Sequence, residues 1–318
     1  MTLVVAASQD GAFGWDGVGC QTIKCVNLNR FQWTLNRWQL IATAINLKPD
    51  VVYVRDVFPL RIPRSETPII LEVQSRTSKE LKLRSFTKFV LYSVLRFFMY
   101  RNVRASIFVT PELQHFNEIG MKNQEMMFSL GNGIDLTSVH QLDVPLPPPR
   151  LGVFFIGSSS QPWQGVAEII QLARINSDLD FHIVGSDRRQ SSPNNLFFHG
   201  ELAMDRYWSI ANLCTVALGT LNQTVTEMRQ AVPLKVREYL ALGLPVITRC
   251  DDPYIDEGAP YILKLPTDGS SISIHNELIR KFVFQWKFLR VSRSQIEYIS
   301  VNEIEKKRLE IFEKVIRD

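Results

Sequence analysis

The most informative segment of the sequence is PLKVREYLALGLPVI, which occupies residues 233–247. Pro233 presets φ for the first position of a helix, good helix formers follow, and Gly243 can adopt the left-handed conformation that commonly ends one. The residues from Leu244 to Thr248 then have the apolar, β-branched composition of a buried strand. The segment therefore predicts a helix that leads directly into a strand of a covered sheet.

Short apolar runs of the same kind recur along the chain, and segments with helical spacing separate them. Continuous apolar strands that alternate with helices are typical of parallel sheets with both faces covered. The predicted fold class is therefore α/β. The predicted strands are Leu3–Ala7, Val51–Val54, Ile69–Val73, Ile107–Thr110, Gly152–Ile156, Phe181–Val184, Val216–Leu218 and Pro245–Thr248.

A proline-rich run, VPLPPPR at residues 144–150, divides these strands into two groups. Its prolines exclude a helix and favour a stiff, extended connector. A length of 318 residues also suits two domains. We expect two Rossmann-like parallel-sheet domains that face a central cleft, because open parallel sheets bind ligands at the carboxyl ends of their strands. The predicted boundaries are 1–143 for the first domain, 144–150 for the linker, 151–291 for the second domain and 292–318 for a closing helix.

The composition is that of an ordinary globular protein, with 45% hydrophobic and 21% charged residues, and it excludes disordered, collagen-like and coiled-coil classes. A net charge of +4 gives no basis for a nucleic-acid partner. The four cysteines lack paired metal-ligand spacing and predict free thiols, not disulfides or a zinc site. We expect a cytoplasmic protein, because the sequence begins without a signal-peptide pattern and no apolar run reaches the ~20 residues of a membrane span.

Lys235 and Glu238 are three residues apart and share one face near the start of the predicted helix. The unpaired N–H groups and the positive dipole end of a helix start favour a phosphate, which the Lys235 ammonium can also contact. A carboxylate one turn further along can accept hydrogen bonds from the two hydroxyls of a ribose. Alternatively, the two side chains form a solvated surface ion pair worth ~0–1 kcal/mol. The spacing alone leaves both interpretations open.

The segment at 233–247 resembles the donor-site helix of family 4 glycosyltransferases, which have the GT-B fold. The resemblance covers nearly the whole chain and is stronger in the second half. It implies an enzyme that transfers a sugar from a nucleotide-diphosphate sugar to a glycan or lipid-linked glycan, as in cell-surface polysaccharide biosynthesis. Such enzymes retain the anomeric configuration and use no bound metal or other cofactor. The other landmarks, in the family's order, are PDVVYVR at 49–55, VTPEL at 109–113, NGID at 132–135, FIG at 155–157, WQG at 163–165, IVG at 183–185 and FHGEL at 198–202.

The resemblance also assigns donor-binding roles to individual residues. Glu238 matches the second glutamate of the family's E-x7-E motif, which holds the ribose. Lys235 would hold the diphosphate together with the turn at Gly157 and Ser158. Arg229 or Arg237 could substitute for the basic pair that the family usually places in this turn, or each could be a solvated arginine. Leu202 matches the place where backbone groups read the nucleobase.

Two positions depart from the family pattern. Gln230 replaces the first glutamate of the motif, which contacts the donor sugar, and Gln74 stands where related enzymes often carry a histidine beside the reacting centre. A glutamine offers hydrogen bonds but no negative charge to stabilise a developing oxocarbenium-like sugar. Gln230 and Lys235 remain the candidate catalytic residues. The first strand and the glycine loop of the family are also expected to be missing, so the alternative is a weak or inactive homologue that binds a nucleotide or glycan.

The stretch from Lys79 to Arg104 is unusually basic and contains many aromatic and aliphatic residues. A helix of this composition can lie on an anionic membrane surface, which would make peripheral attachment to the inner face of the membrane and a lipid-linked acceptor plausible. Alternatively, its apolar side packs on the first sheet and its cations are merely solvated.

Overall fold

The computed structural model describes residues 2–7, 21–26, 41–55, 61–143, 150–158, 160–187, 192–222, 225 and 227–318. The chain forms two compact units, which we call unit 1 and unit 2. Unit 1 comprises Met1–Leu130 and Arg308–Asp318, and unit 2 comprises Gly131–Lys307. Residues 144–149 of the predicted linker lie outside the described residues.

The described residues of unit 1 form two sheets in which every strand pair is parallel. The first pairs β1 with β2, and the second has the order β3-β4-β5-β6. Isoleucines and phenylalanines of the two middle strands of the second sheet form the centre of its core. The strands are β1 (Thr2–Ala7), β2 (Gln21–Val26), β3 (Val52–Arg55), β4 (Ile69–Val73), β5 (Ala105–Phe108) and β6 (Met127–Ser129).

Apart from a helical segment at residues 41–46, which precedes β3, the described helices of unit 1 follow strands of the second sheet. After β4 come α1 (Thr77–Arg84) and α2 (Phe86–Met99), which pack on each other. After β5 comes α3 (Pro111–Phe116). Thr110 caps α3, because its hydroxyl accepts a hydrogen bond from the Leu113 amide at 3.2 Å.

Unit 2 contains one six-stranded parallel sheet in the order β9-β8-β7-β10-β11-β12. Along the chain, β8 and β9 are added on one side of β7, and β10, β11 and β12 are then added on its other side. In such doubly wound sheets, ligands bind outside the carboxyl ends of the strands where the order reverses, here between β7 and β10. The strands are β7 (Leu151–Ile156), β8 (Leu179–Val184), β9 (Leu196–Phe198), β10 (Cys214–Leu218), β11 (Val246–Thr248) and β12 (Ile262–Lys264).

In the part of unit 2 that the structure describes, five α-helices accompany this sheet: α4 (Val166–Ile175), α5 (Met204–Asn212), α6 (Leu234–Leu242), α7 (Asn276–Gln285) and α8 (Val301–Arg317), the last of which continues into unit 1. The helix predicted at 233–243 is confirmed as α6, which ends at Gly243 with φ of 92°. Pro233 is the N-cap residue and not the first helical residue, because its ψ of 128° is extended. The prediction of two α/β parallel-sheet domains is confirmed.

Candidate functional site

The candidate site lies at the carboxyl edge of the unit 2 sheet, where α6 contacts the end of β7. Ile156 is the last residue of β7, and both of its backbone polar groups bond to α6 side chains. Its N–H donates to the Tyr239 hydroxyl at 2.7 Å, and its carbonyl accepts from Lys235 Nζ at 3.4 Å. These bonds fix the start of α6 beside the point where the strand order reverses.

Lys235 is held at this edge by two further contacts. Its Nζ donates a hydrogen bond to Gln164 Oε1 and lies 4.1 Å from the centre of the Phe155 ring, a cation–π arrangement. Burial lowers the pKa of Lys235 to about 7. Within the described part of the chain it has no carboxylate partner, so an incoming anion would be the group that favours its charged form.

Gly157 follows β7 and lies close to two side chains that a larger residue would have to displace. A Cβ atom at this position would lie 2.8 Å from both Gln164 Oε1 and the Phe155 ring. Its N–H already donates to the Val184 carbonyl at 2.9 Å, and its carbonyl accepts from the Ser186 hydroxyl at 2.8 Å. Gly157 therefore shapes the turn, and its own amide is engaged within unit 2.

Ser158, the next residue, is oriented by the turn. Its hydroxyl is 2.8 Å from the Ser160 hydroxyl and accepts a hydrogen bond from the Ser160 amide at 3.2 Å. The Ser158 N–H has no acceptor among the described residues. Of the two residues predicted for the diphosphate turn, Ser158 is thus the one with a backbone donor to offer.

Glu238 lies one turn after Lys235 and bonds to two neighbouring residues of α5. Its Oε1 accepts from the Tyr207 hydroxyl at 2.5 Å and from Trp208 Nε1 at 3.0 Å. Burial and the neighbouring carboxylate raise the pKa of Tyr207, so the phenol stays protonated and donates. Glu238 Oε2 receives no hydrogen bond from the described residues and is left as an acceptor.

The sequence interpretation missed Tyr207, Trp208 and Gln164 as parts of this site. Tyr207 and Trp208 are adjacent on a short helix, and their side chains pack partly against the unit 2 core. Their positions alone gave no sign that both would turn towards a carboxylate 30 residues further along the chain. Gln164 was quoted only as part of a family landmark, although its side chain is the one that contacts Lys235.

Leu202 follows β9 in the loop that leads to α5. Its side chain packs against the hydrophobic core of unit 2. Just before it, the Gly200 carbonyl accepts a hydrogen bond from the Gly185 amide at 2.6 Å, and Gly200 adopts a positive φ of 64°. The backbone N–H and carbonyl of Leu202 bond to no described residue.

Gln230 is held on a different segment, after β10 and before α6. It forms a bridge with Asp251, and the neighbouring Ala231 amide donates to the Asp251 carbonyl at 2.9 Å. Asp251 follows β11, so Gln230 also lies near the carboxyl edge of the sheet. Lys235 and Glu238 lie on one turn of α6, and Lys235 and Gly157 both adjoin Gln164 and Phe155, whereas Gln230 is anchored beside β11.

Arg237 was considered as a substitute phosphate ligand or a solvated residue, and both interpretations are wrong. The side chain is completely buried. Its Nη2 lies 2.9 Å from a carboxylate oxygen of Asp252, and its Nε donates to the Asn132 carbonyl at 3.2 Å. Arg237 thus neutralises a buried carboxylate whose pKa burial still raises.

Gln74 lies in unit 1, just after β4. Its Nε2 donates a hydrogen bond to Glu72 Oε1. Both residues line a cavity of about 300 Å³ that also includes Arg55, the last residue of β3. The cavity is therefore at the carboxyl edge of the unit 1 sheet. Among all described residues, no group of three His, Cys, Asp or Glu side chains is placed to hold a metal ion.

Comparisons with known proteins identify the fold. No protein-family model and no curated protein matches the sequence. Anabaena Alr3699/HepE, solved in complex with UDP and glucose, is 16% identical, with a TM-score of 0.64 over 98% of this chain and 91% of that chain. Sucrose-phosphate synthase from Thermosynechococcus elongatus is 12% identical, with a TM-score of 0.67 over 94% and 84% of the two chains. The lipopolysaccharide outer core galactosyltransferase WaaB is 12% identical, with a TM-score of 0.61 over 95% and 86%. At these identities the likeness concerns the fold, and the chain has the two-unit α/β fold of the GT-B glycosyltransferases.

Proposed function

We propose that the protein is a retaining glycosyltransferase that moves a sugar from a nucleotide-diphosphate sugar to a glycan or lipid-linked glycan acceptor. The observation that carries this proposal is the pairing of Lys235 and Glu238 on one turn of α6, at the strand-order reversal of the unit 2 sheet. Hydrogen bonds to other residues hold each of the two side chains in place. Each still has a group that can bind a ligand, which is the ammonium of Lys235 and Oε2 of Glu238. The surface ion pair considered as the alternative does not describe them, because they bond to different partners.

The diphosphate would lie between Lys235 and the turn after β7. The Lys235 ammonium supplies a positive charge, and the Ser158 N–H supplies a backbone donor. Because these groups are fixed before the ligand arrives, they can stabilise the charge that develops on the diphosphate as the bond to the sugar breaks. This role makes Lys235 a catalytic residue of the proposed reaction.

The nucleoside would be held by Glu238 and Leu202. Glu238 Oε2 can accept hydrogen bonds from ribose hydroxyls while Tyr207 and Trp208 hold Oε1. The unbonded backbone groups of Leu202 suit the edge of a nucleobase. HepE has been solved with UDP-glucose, so uracil is the first base to test.

The sugar would lie near Gln230, whose amide can hydrogen-bond to its hydroxyls. An amide gives less electrostatic help to an oxocarbenium-like transition state than a carboxylate would. This residue therefore favours the second candidate function, a weak or inactive homologue that binds the nucleotide sugar. Metal-independent transfer is part of the first proposal only.

The two candidates are separated by measuring binding and turnover on the same sample. A panel of nucleoside diphosphates and nucleotide sugars in a thermal-shift assay identifies the ligand, since ligand binding stabilises the native state. We then expect slow release of nucleoside diphosphate from the matching nucleotide sugar, accelerated by acceptor. Saturable binding without release would support the binding protein, and the absence of any shift would refute both.

The pKa of Lys235 predicts how donor affinity depends on pH. Free Lys235 loses its proton above about pH 7, so binding to a diphosphate must take a proton up. We expect the affinity for the nucleotide sugar to fall by up to about tenfold per unit above pH 7 and to level off below it. Calorimetry between about pH 6 and about pH 8.5 measures this, because a nucleotide sugar has no phosphate group that titrates in that range.

Lys235→Met is the matched control for this prediction. It keeps the length of the side chain and its apolar packing on Phe155, but it has no proton to gain. Its affinity should be weaker and independent of pH. A variant that follows the same pH curve as the wild type would show that another group titrates.

A further inference from the structure

Helix α2 of unit 1 presents large apolar side chains to solvent. Of its 14 residues, only Tyr92 and Met99 are fully buried. Phe86, Val94 and Phe98 are 68%, 62% and 62% exposed. The interpretation in which the apolar side of this segment packs on the sheet is therefore wrong for most of α2.

The exposed residues form one continuous surface. At 100° per residue, six of them fall within an arc of about 140°, and Thr87 is the only polar residue in that arc. A surface helix normally shows its polar side to water, so α2 is reversed in this respect. We call this surface the apolar face of α2, and it consists of Phe86, Val90, Leu91, Val94, Phe97 and Phe98.

Positive charge surrounds the apolar face. Residues 79–104 contain seven basic residues and one acidic residue, a net charge of +6, whereas the whole chain has +4. Lys82 and Lys88 lie before or at the start of α2, Arg101 and Arg104 follow its end, and all four side chains are exposed. The cations therefore stand at both ends of the apolar face.

We propose that the apolar face of α2 docks on an anionic lipid bilayer, with the flanking lysines and arginines at the level of the headgroups. The face matches such a surface in both of its properties, since aromatic and aliphatic side chains enter the boundary of the acyl chains while cations meet anionic headgroups. No helix among the described residues is long and apolar enough to cross a membrane. At 1.5 Å per residue, α2 is about 21 Å long and lies along the surface.

The apolar face is nearly without polar groups, which favours a bilayer over a protein partner. Protein interfaces combine an apolar centre with polar groups that determine register, whereas the apolar face offers one hydroxyl, that of Thr87. A second copy of the same surface would bring two groups of cations with net charge +6 together, and like charges repel. An anionic bilayer has the opposite charge and requires no register.

Docking on a bilayer would deepen the proposed function, and it rests on that function only for the purpose that docking would serve. A transferase held at a bilayer through unit 1 would act on acceptors with a lipid anchor, and among acceptors it would favour those presented in vesicles. Docking itself requires no nucleotide. It can therefore be tested independently of donor binding in unit 2.

The test is flotation of the purified full chain with vesicles in low salt. We expect the chain to bind vesicles of phosphatidylglycerol and phosphatidylcholine. Its binding to pure phosphatidylcholine vesicles should be weaker by about tenfold or more. Val94→Asp combined with Phe98→Asp should lower binding to the anionic vesicles by about tenfold or more, because both side chains would leave the acyl boundary. Lys82→Glu combined with Lys88→Glu should lower binding by a similar factor. Added salt should lower the binding of the wild type in the same way, because it screens the attraction between charges.

Two variants in unit 2 serve as matched controls. Ile274→Asp changes an equally exposed apolar residue, and Lys281→Glu with Lys287→Glu changes two exposed lysines, one on α7 and one just after it. Both should bind vesicles like the wild type, and circular dichroism checks that every variant is folded. Equal binding to anionic and neutral vesicles, or full binding by the Val94 and Phe98 variant, would overturn the proposal. A wild type that forms a dimer and binds no vesicles would also overturn it, if the Val94 and Phe98 variant is a monomer, because the apolar face would then be an interface between two copies.

Discussion

Replacing Glu238 by alanine is expected to weaken binding of the nucleotide sugar by about 1.5–3 kcal/mol, roughly a 10- to 150-fold loss of affinity. The alanine removes Oε2, the acceptor that the described residues leave available for ribose hydroxyls. It also removes the acceptor of the Tyr207 and Trp208 hydrogen bonds. Isothermal titration calorimetry with wild type and variant gives the difference directly.

The same loss should appear when the ligand is changed instead of the protein. A 2′,3′-dideoxy analogue of the nucleoside diphosphate should bind the wild type as weakly as the normal nucleotide binds Glu238→Ala, and the variant should not distinguish the two nucleotides. Tyr207→Phe is the matched control, because it removes one hydrogen bond to Oε1 and keeps Oε2. Its effect should be smaller. An unchanged affinity in Glu238→Ala would refute the ribose role.

Replacing Arg237 by methionine is expected to lower the free energy of unfolding of unit 2 by about 3–5 kcal/mol. The methionine fills much of the same volume but leaves the Asp252 carboxylate buried without its ion-pair partner. For a unit of this size the melting temperature should fall by roughly 6–20 °C. Urea unfolding followed by circular dichroism measures the free energy, and differential scanning calorimetry measures the temperature.

Three comparisons identify the cause of the loss in Arg237→Met. Removing the guanidinium should raise the pKa of Asp252 further, so the folded state gains affinity for a proton and the deficit should shrink as the pH falls from about 7 to about 5. Arg237→Met with Asp252→Leu should recover most of the stability, since no charge remains buried. Arg206→Met, on the exposed side of α5, should cost less than about 0.5 kcal/mol. A deficit that is constant with pH and persists in the double variant would indicate a packing defect instead.

The fold was largely predictable because most of its longer buried strands have continuous apolar sequences. Ile69–Val73 was predicted with the observed bounds of β4, and Gly152–Ile156 differs from β7 by one residue. The missed strands β6, β9 and β12 have three residues each and gain stability from pairing with neighbours rather than from their own sequences. The six-residue strand β2 was also missed, because polar and apolar residues are mixed in its sequence QTIKCV. Their existence depends on tertiary contacts that local periodicity does not contain.

The candidate site was predicted from two sources. Helical periodicity places Lys235 and Glu238 on one face, and the family resemblance assigned donor-binding roles to these two and to the other predicted residues. Tyr207 and Gln164 contact them from other elements, and nothing in their local sequence specifies those contacts. Arg237 was misplaced because charged residues are usually solvated, and only the position of Asp252 after β11 explains its burial. The roles of Gln230 and Leu202 in catalysis and base recognition stay predictions.

The division of the chain into units affects the order in which it can fold on the ribosome. Unit 1 includes Arg308–Asp318, where the Phe312 ring packs against the Tyr53 ring with centroids 5.3 Å apart and Lys314 lies over the Phe128 ring. These residues are synthesised after all of unit 2, so the unit that starts first is completed last. The early part of unit 1 must therefore leave the ribosome without its final segment, and this interval is when a chaperone would be needed most.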